Sequence, residues 1–347
     1  MSDQQPVSND HTPSTPPTAA PAGGPAPVAP ANRVRSIALR AATWVLAGGC
    51  FYLVYGRIAA TAARDDLTPL GYLARFFGDA DWTLWLALMA PYSVCFFLLD
   101  ANVTWRVVRW FNAPALRYGD ILPIRASAYI LSLVNEQVGK GAMSLYLLRK
   151  HQVPGWEAIS SMILLGLMEI MLLLTYSAIG SLLYPDLVAA ASTQLPLQQI
   201  LIGVSLGVAI YLPLHILYFR GHILPNLRWR DARVLRAFRE ARPVHYLLIF
   251  LMKSPNLILA VLVYTSALAL FNVDVGFGQM LAFLPVIFCA ATLPLPFHAG
   301  ALLLWTVLFP DYPEVGAFSL VMHTFFVLFN AAIGVLFLPR ANRELFG

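Results

Sequence analysis

A few residues in this sequence could do chemistry because they stand where apolar residues would be expected. Residues 133–148 read LVNEQVGKGAMSLYLL, so Asn135, Glu136, Gln137, Gly139, Lys140 and Gly141 interrupt an otherwise oily run. Glu169 and Lys253 each sit deep inside a long apolar segment, and His298 falls in the stretch LPLPFHAG at 293–300. An unpaired charge at the centre of a bilayer costs at least ~2.5–3.5 kcal/mol, which makes such residues functional candidates by default. Lys140 near the start of a half-helix would combine a full positive charge with free backbone N–H groups, a pairing suited to a lipid phosphate or a carboxylate. The plainer reading is that Asn135, Glu136 and Gln137 cap the preceding half-helix while Lys140 pairs with Glu136. GKGAMS is not a phosphate-binding P-loop, because the upstream Gly and the Ser/Thr directly after Lys are missing.

Glu169 lies roughly 18 Å along its apolar segment at 1.5 Å per residue, and Lys253 lies at a similar depth in another. The two either pair with each other, as a transport element or as a packing ion pair, or Glu169 faces Lys140. Lys253 opens KSPN, where Pro255 removes a backbone donor and should kink the helix. His298 is a candidate at its Pro/Gly tip, although a lone His is more often a hydrogen-bonded structural residue; His215 and His323 are weaker candidates. No His/Cys/carboxylate cluster has metal-ligand spacing, and neither G-x-S-x-G nor H-E-x-x-H occurs, so no metal, cofactor or catalytic residue is expected.

These residues are set in a chain of 347 residues that is 59% hydrophobic and 12% charged. Ordinary globular domains run about 45–50% and 25%, and several runs here reach the ~20 residues needed to cross a bilayer. The composition therefore predicts a polytopic membrane protein. The net charge of +5 does not point to nucleic acid, because the basic residues cluster beside apolar spans, where they orient the chain. Cys50, Cys95 and Cys289 lie in apolar segments and read as small hydrophobes without a disulfide framework. Residues 1–32 are Pro/Ala/Ser-rich and predict a disordered tail that is no signal peptide, ahead of one membrane domain over 33–347.

Six stretches are long enough to span: about 37–57, 82–105, 157–184, 197–219, 244–271 and 314–338. Two more apolar regions, about 121–150 and 277–309, are interrupted by NEQVGKG and LPLPFHAG, and each half is too short to cross alone. Reading both as re-entrant hairpins places Arg33 and Arg35, Arg106, Arg109 and Arg117, Arg149 and Lys150, the seven arginines of 220–242, and Arg340 and Arg343 on one side. By the positive-inside rule that side is the cytoplasm, with both termini. The fold class expected is all-α and polytopic: about six spanning helices plus two oppositely oriented re-entrant hairpins in an inverted repeat, the layout of many secondary transporters. Two local readings complete the map. RWRDARVLRAFREAR (228–242) predicts an amphipathic helix on the membrane surface, and GVSLG (203–207) predicts close intramolecular helix packing.

The segment LRYGDILPIRASAYILSLVNEQVGKGAMSLYLLRKHQVPGWEAISSMILLGLMEIMLLL resembles the membrane region of lysylphosphatidylglycerol synthases and their stand-alone flippase-like relatives. Those proteins show a polar hairpin tip ending in Gly, a basic stretch, then a span bearing a Glu, matched here by Asn135–Gly139, Arg149–Lys150 and Glu169. LPLPFHAGALLLW (293–305) is similar to the family's second tip. The Arg usual after the first tip is absent, with Lys140 the nearest base, and apolar sequence near Leu304 and Trp305 replaces an acidic residue. The soluble aminoacyl-transferase domain does not occur. The resemblance thus implies a translocator of an anionic phospholipid or lipid-linked envelope precursor in the cell (inner) membrane, not an enzyme. Its partners would be membrane lipids and envelope-biosynthesis proteins. A membrane-embedded transferase and a non-transporting accessory subunit of an envelope pathway are the alternatives.

Overall fold

In a computed structural model of the chain, residues 30–132, 136–192, 196–293, 295 and 298–346 are described, with side-chain surroundings from 41 onward except at 132–140, 228, 345 and 346. The predicted tail therefore lies almost wholly outside the described residues, and its expected boundary at 32 falls inside the first helix. The described chain is all-α, with thirteen α-helices and two short 3₁₀ turns. Six helices are long and apolar enough to cross a membrane. The protein is a polytopic membrane protein.

The order begins with α1 (Pro30–Arg64), the short α2 (Pro69–Gly78) and α3 (Trp82–Phe111). The hairpin α4 (Tyr118–Ser132) and α5 (Glu136–His151) comes next, followed by α6 (Gly155–Leu183) and the short α7 (Pro185–Ala191). The second half runs through α8 (Leu197–Phe219), α9 (Arg236–Glu240), α10 (Pro243–Ala269), the hairpin α11 (Phe277–Ala291) and α12 (Ala299–Leu308), and α13 (Val315–Phe346). Local chemistry sets the starts. Thr68 and Asp81 accept hydrogen bonds from the N–H groups of Gly71 and Leu84, and Pro69, Pro185 and Pro243 occupy first-turn positions where no donor is needed. The two hairpins of shorter helices, α4–α5 and α11–α12, hold equivalent places in the two halves.

Packing relates the two halves. Helix α4 packs more extensively on α13 than on its own partner α5, and α11 packs more extensively on α6 than on α12. The helices α3 and α10, second spans of their halves, pack on each other. The pairs α3–α4, α5–α6 and α3–α13 recur as α10–α11, α12–α13 and α10–α6. Each half thus grips the hairpin of the other through its last span. Glycines permit both grips. A Cβ on Gly334 of α13 would stand 2.5 Å from the Ala126 carbonyl of α4, and one on Gly180 of α6 would stand 2.5 Å from the Ala282 Cα of α11.

Three expectations are corrected. Helix α5 begins at Glu136, so the interruption NEQVGKG is largely helical, with Gly139, Lys140 and Gly141 within the first two turns of α5. An acidic first residue suits a helix N-terminus, and Gly141 is exposed with open space around it. Residues 228–242 form two 3₁₀ turns and the five-residue α9. Ala237 and Phe238 are buried against α6, where the Ser160 hydroxyl accepts the Ala237 N–H. Docking thus overrides the surface-helix pattern. Gly203 and Gly207 have no close neighbour, and few residues of α8 are buried in the protein. The cysteines are free, with Cys50 buried, Cys289 half-buried and Cys95 exposed on α3.

Candidate functional site

The charges deep in the bundle collect in one place. Glu169 stands midway along α6, and the Lys253 ammonium of α10 is paired with its carboxylate. The Lys253 side chain is 11% exposed and that of Glu169 43%, so the carboxylate is the accessible end of the pair. Beside them, Asp100 of α3 accepts from Arg125 Nε at 2.6 Å and from the Tyr129 hydroxyl at 3.0 Å. Arg125 and Tyr129 are one turn apart on α4, which places the guanidinium 5.3 Å from the Tyr129 ring centre. Four ionisable groups from α3, α4, α6 and α10 therefore form two neutral pairs. Neutralisation in pairs is what lets a low-dielectric interior tolerate them.

Asp100, Glu169 and Lys253 line a small, partly open groove of about 50 Å3, together with Asn256 and the apolar walls Tyr92 and Phe96. The Asn256 Oδ1 is buried there without a hydrogen-bond partner. The arrangement offers a carboxylate, an amide oxygen and a shielded ammonium to a polar group entering the groove.

Glu169 and Lys253 are thus brought together as one of the alternatives foresaw. Asp100 and Arg125 were not singled out from sequence. Arg125 alone in the apolar half-helix ILPIRASAYIL was the available signal, because such a cation requires an acidic partner. His298 takes a left-handed conformation (φ 52°) immediately before α12. Its ring centre lies 3.9 Å from that of His323 on α13, so the second tip carries a histidine pair. Asn135 lies outside the described residues, and so do the side chains of Glu136, Gln137 and Lys140, and the surroundings of Gly139. Gly141 is described, is exposed and touches no groove residue. No group of three or more metal-ligating residues occurs among the described residues.

The surroundings of the second hairpin are aromatic. Trp305 of α12 is buried between Tyr264, stacked at 6.0 Å, and Phe309 at 5.3 Å, with Phe318 edge-on at 6.3 Å. At its base, the Tyr72 hydroxyl of α2 donates to the buried Glu314 carboxylate at 2.8 Å. Burial raises the Glu314 carboxyl above its ordinary range. The Tyr72 phenol is also raised, by burial and by the carboxylate beside it. No family model, no curated protein and no solved structure matches this chain.

Proposed function

We propose that this protein moves the headgroup of an anionic phospholipid or lipid-linked precursor across a cell membrane, flippase-like, while the acyl tails stay in the bilayer. The observation that carries this reading is the groove at Glu169 and Lys253, where paired charges and an unsatisfied amide line a small, partly open cavity inside a hydrophobic bundle. A headgroup needs a polar path because its bare passage through hydrocarbon is prohibitive. The two hairpins gripped by opposite halves support it, since half-helices meeting inside a bundle are how transporters build midplane sites. The resemblance of 116–175 to the membrane region of lysylphosphatidylglycerol synthases points the same way. On this reading Lys140 and the N–H groups at the start of α5 receive the phosphate, and Glu169, Lys253 and His298 line the route. Movement is favoured over group transfer because Glu169 sits midway along a span, away from the interface where a water-soluble donor would arrive. The arginines of 220–242 and Arg340 and Arg343 favour cytoplasmic termini in an inner membrane.

The test is reconstitution into sealed vesicles with head-labelled anionic or zwitterionic lipid and an impermeant quencher. The expected result is faster exposure of the anionic label than in protein-free vesicles, falling at least tenfold in Lys253→Gln and in Lys140→Gln. Rates equal to those of empty vesicles for every lipid would sink the proposal.

A further inference from the structure

At the end of α3 opposite its Asp81 cap, two arginines share one face and have no acidic partner among the described residues. Arg106 and Arg109 are three residues apart, hence neighbours on the helix surface. With Trp110 and Pro114 they line a shallow pocket of about 200 Å3. Both guanidiniums lie over Trp105, at 4.8 and 5.1 Å from its ring centre. Among the described residues, no carboxylate approaches either within ion-pair distance. Arg109 Nε donates to the Pro114 carbonyl at 3.2 Å, which leaves most of the ten donors of the two forks directed elsewhere.

The pocket is built, not a chance of loose side chains. Trp105 donates through Nε1 to the Leu116 carbonyl at 2.9 Å and meets Tyr118 edge-on, so it ties the end of α3 to the start of α4. Trp110 is stacked on His245 of α10 at 5.0 Å. The loop behind is fixed to α6 by Ser161, whose hydroxyl donates to Asn112 Oδ1 at 2.6 Å. Two tryptophans beside two arginines at the end of a span mark the headgroup level of a bilayer. Arginines at a helix C-terminus also offset its negative end, but that end is worth only about half a charge. Two full positive charges exceed it, so the pocket retains a net pull on anions.

We propose that the Arg106–Arg109 pocket is a binding site for a phosphate group, specifically the phosphodiester of an anionic lipid in the leaflet beside the first hairpin. Planar guanidinium forks match phosphate oxygens in pairs, and the Trp110 ring lining the pocket suits the glycerol and upper acyl region. The site stands whether or not the lipid is then carried across.

The test uses the purified full chain in a nonionic detergent, titrated with short-chain phosphatidylglycerol and phosphatidylcholine bearing the same fluorophore. The expected result is tighter binding of phosphatidylglycerol, weakened about tenfold by Arg106→Gln, as for loss of one charged hydrogen bond. Arg109→Gln is expected to do the same, and Arg75→Gln on α2 to do nothing. Arg106 makes no hydrogen bond that folding requires, so its variant keeps the test available if Arg109→Gln unfolds. Unchanged affinity in Arg106→Gln, or an equal loss in Arg75→Gln, would overturn the site. Inorganic phosphate displacing the labelled lipid as well as unlabelled phosphatidylglycerol does would keep a phosphate site but overturn its assignment to lipid.

Discussion

The two hairpins hold equivalent places in the two halves, yet they are secured by different forces. Helix α4 brings Arg125 and Tyr129 to Asp100, so the first hairpin is tied by a charge pair. Helix α12 brings Trp305 into a stack with Tyr264 and Phe309, so the second is tied by ring packing. The glycine grips, Gly334 on Ala126 and Gly180 on Ala282, are alike in both. Backbone packing is therefore what the halves share, and electrostatics is what distinguishes them. An ion pair demands its partner, whereas a packed ring demands only volume.

The largest effects should separate these two modes. Asp100→Ala leaves Arg125 largely buried without a counter-charge and should cost ~3–5 kcal/mol. Trp305→Ala should cost a similar ~3–5 kcal/mol through its cavity. The two differ in rescue. Asp100→Leu with Arg125→Met should recover most of the loss, less about 1 kcal/mol for the Tyr129 hydroxyl, while no single second change should rescue Trp305→Ala. Thermal unfolding of the purified variants decides this, and a double variant no better than Asp100→Ala would break the comparison.

Next come the grips. Gly180→Ala and Gly334→Ala should each cost about 2–3 kcal/mol by overpacking against backbone. Gly203→Ala on the open face of α8 should instead gain up to ~1 kcal/mol from reduced chain entropy. A loss at only one of the two grips, read by the same melting measurement, would show that the halves are not held alike.

An effect of similar size is expected at the groove. Lys253→Met leaves Glu169, midway along its span, without a counter-charge, so the loss should be about 2.5–3.5 kcal/mol, below that of Asp100→Ala. If it equals that of Asp100→Ala, the Glu169–Lys253 pair belongs with the structural charges instead of the accessible ones.

The smallest effect is a pH slope at the base of the second hairpin. Glu314 is raised by burial from an ordinary value of 4.5. The folded state thus binds its proton more tightly than the unfolded chain. The contribution is fully present below about 4.5 and is lost as pH rises through the folded value. Stability should therefore fall as pH is raised from 4.5 upward, and Glu314→Gln should flatten that segment of the melting profile. An unchanged slope would remove Glu314 as its origin.

Much of this arrangement was legible in the sequence. Glu169 and Lys253 stood out because each interrupts a long apolar run, and hydropathy alone locates such residues. The hairpins were legible from half-length runs around Pro and Gly, and the spans from run length. Asp100 escaped notice because it falls near the predicted end of its run, where a charge reads as a boundary. Arg125 was hidden in a half-helix whose polar tip drew attention elsewhere, and their pairing across 25 positions is tertiary. The segment 228–242 was misread because its three-residue arginine spacing looks helical, while docking of Phe238 and Ala237 against α6 leaves no local trace. Gly180 and Gly334 carry no signal until their partners are known.

The crossed grips also set an order of assembly during synthesis. Helix α11 emerges after α6 and finds its partner waiting. Helix α4 is made early, but its partner surface around Gly334 is translated some 208 residues after Ala126. At about 5–20 residues per second, the first hairpin waits roughly ten to forty seconds for its seat. Throughout that interval Arg125 and Asp100 can already neutralise each other, since both are encoded before the hairpin turns. The charge pair that ties the first hairpin thus supplies a provisional anchor to the half that must wait, whereas the second hairpin, completed against a partner already in place, has no such need.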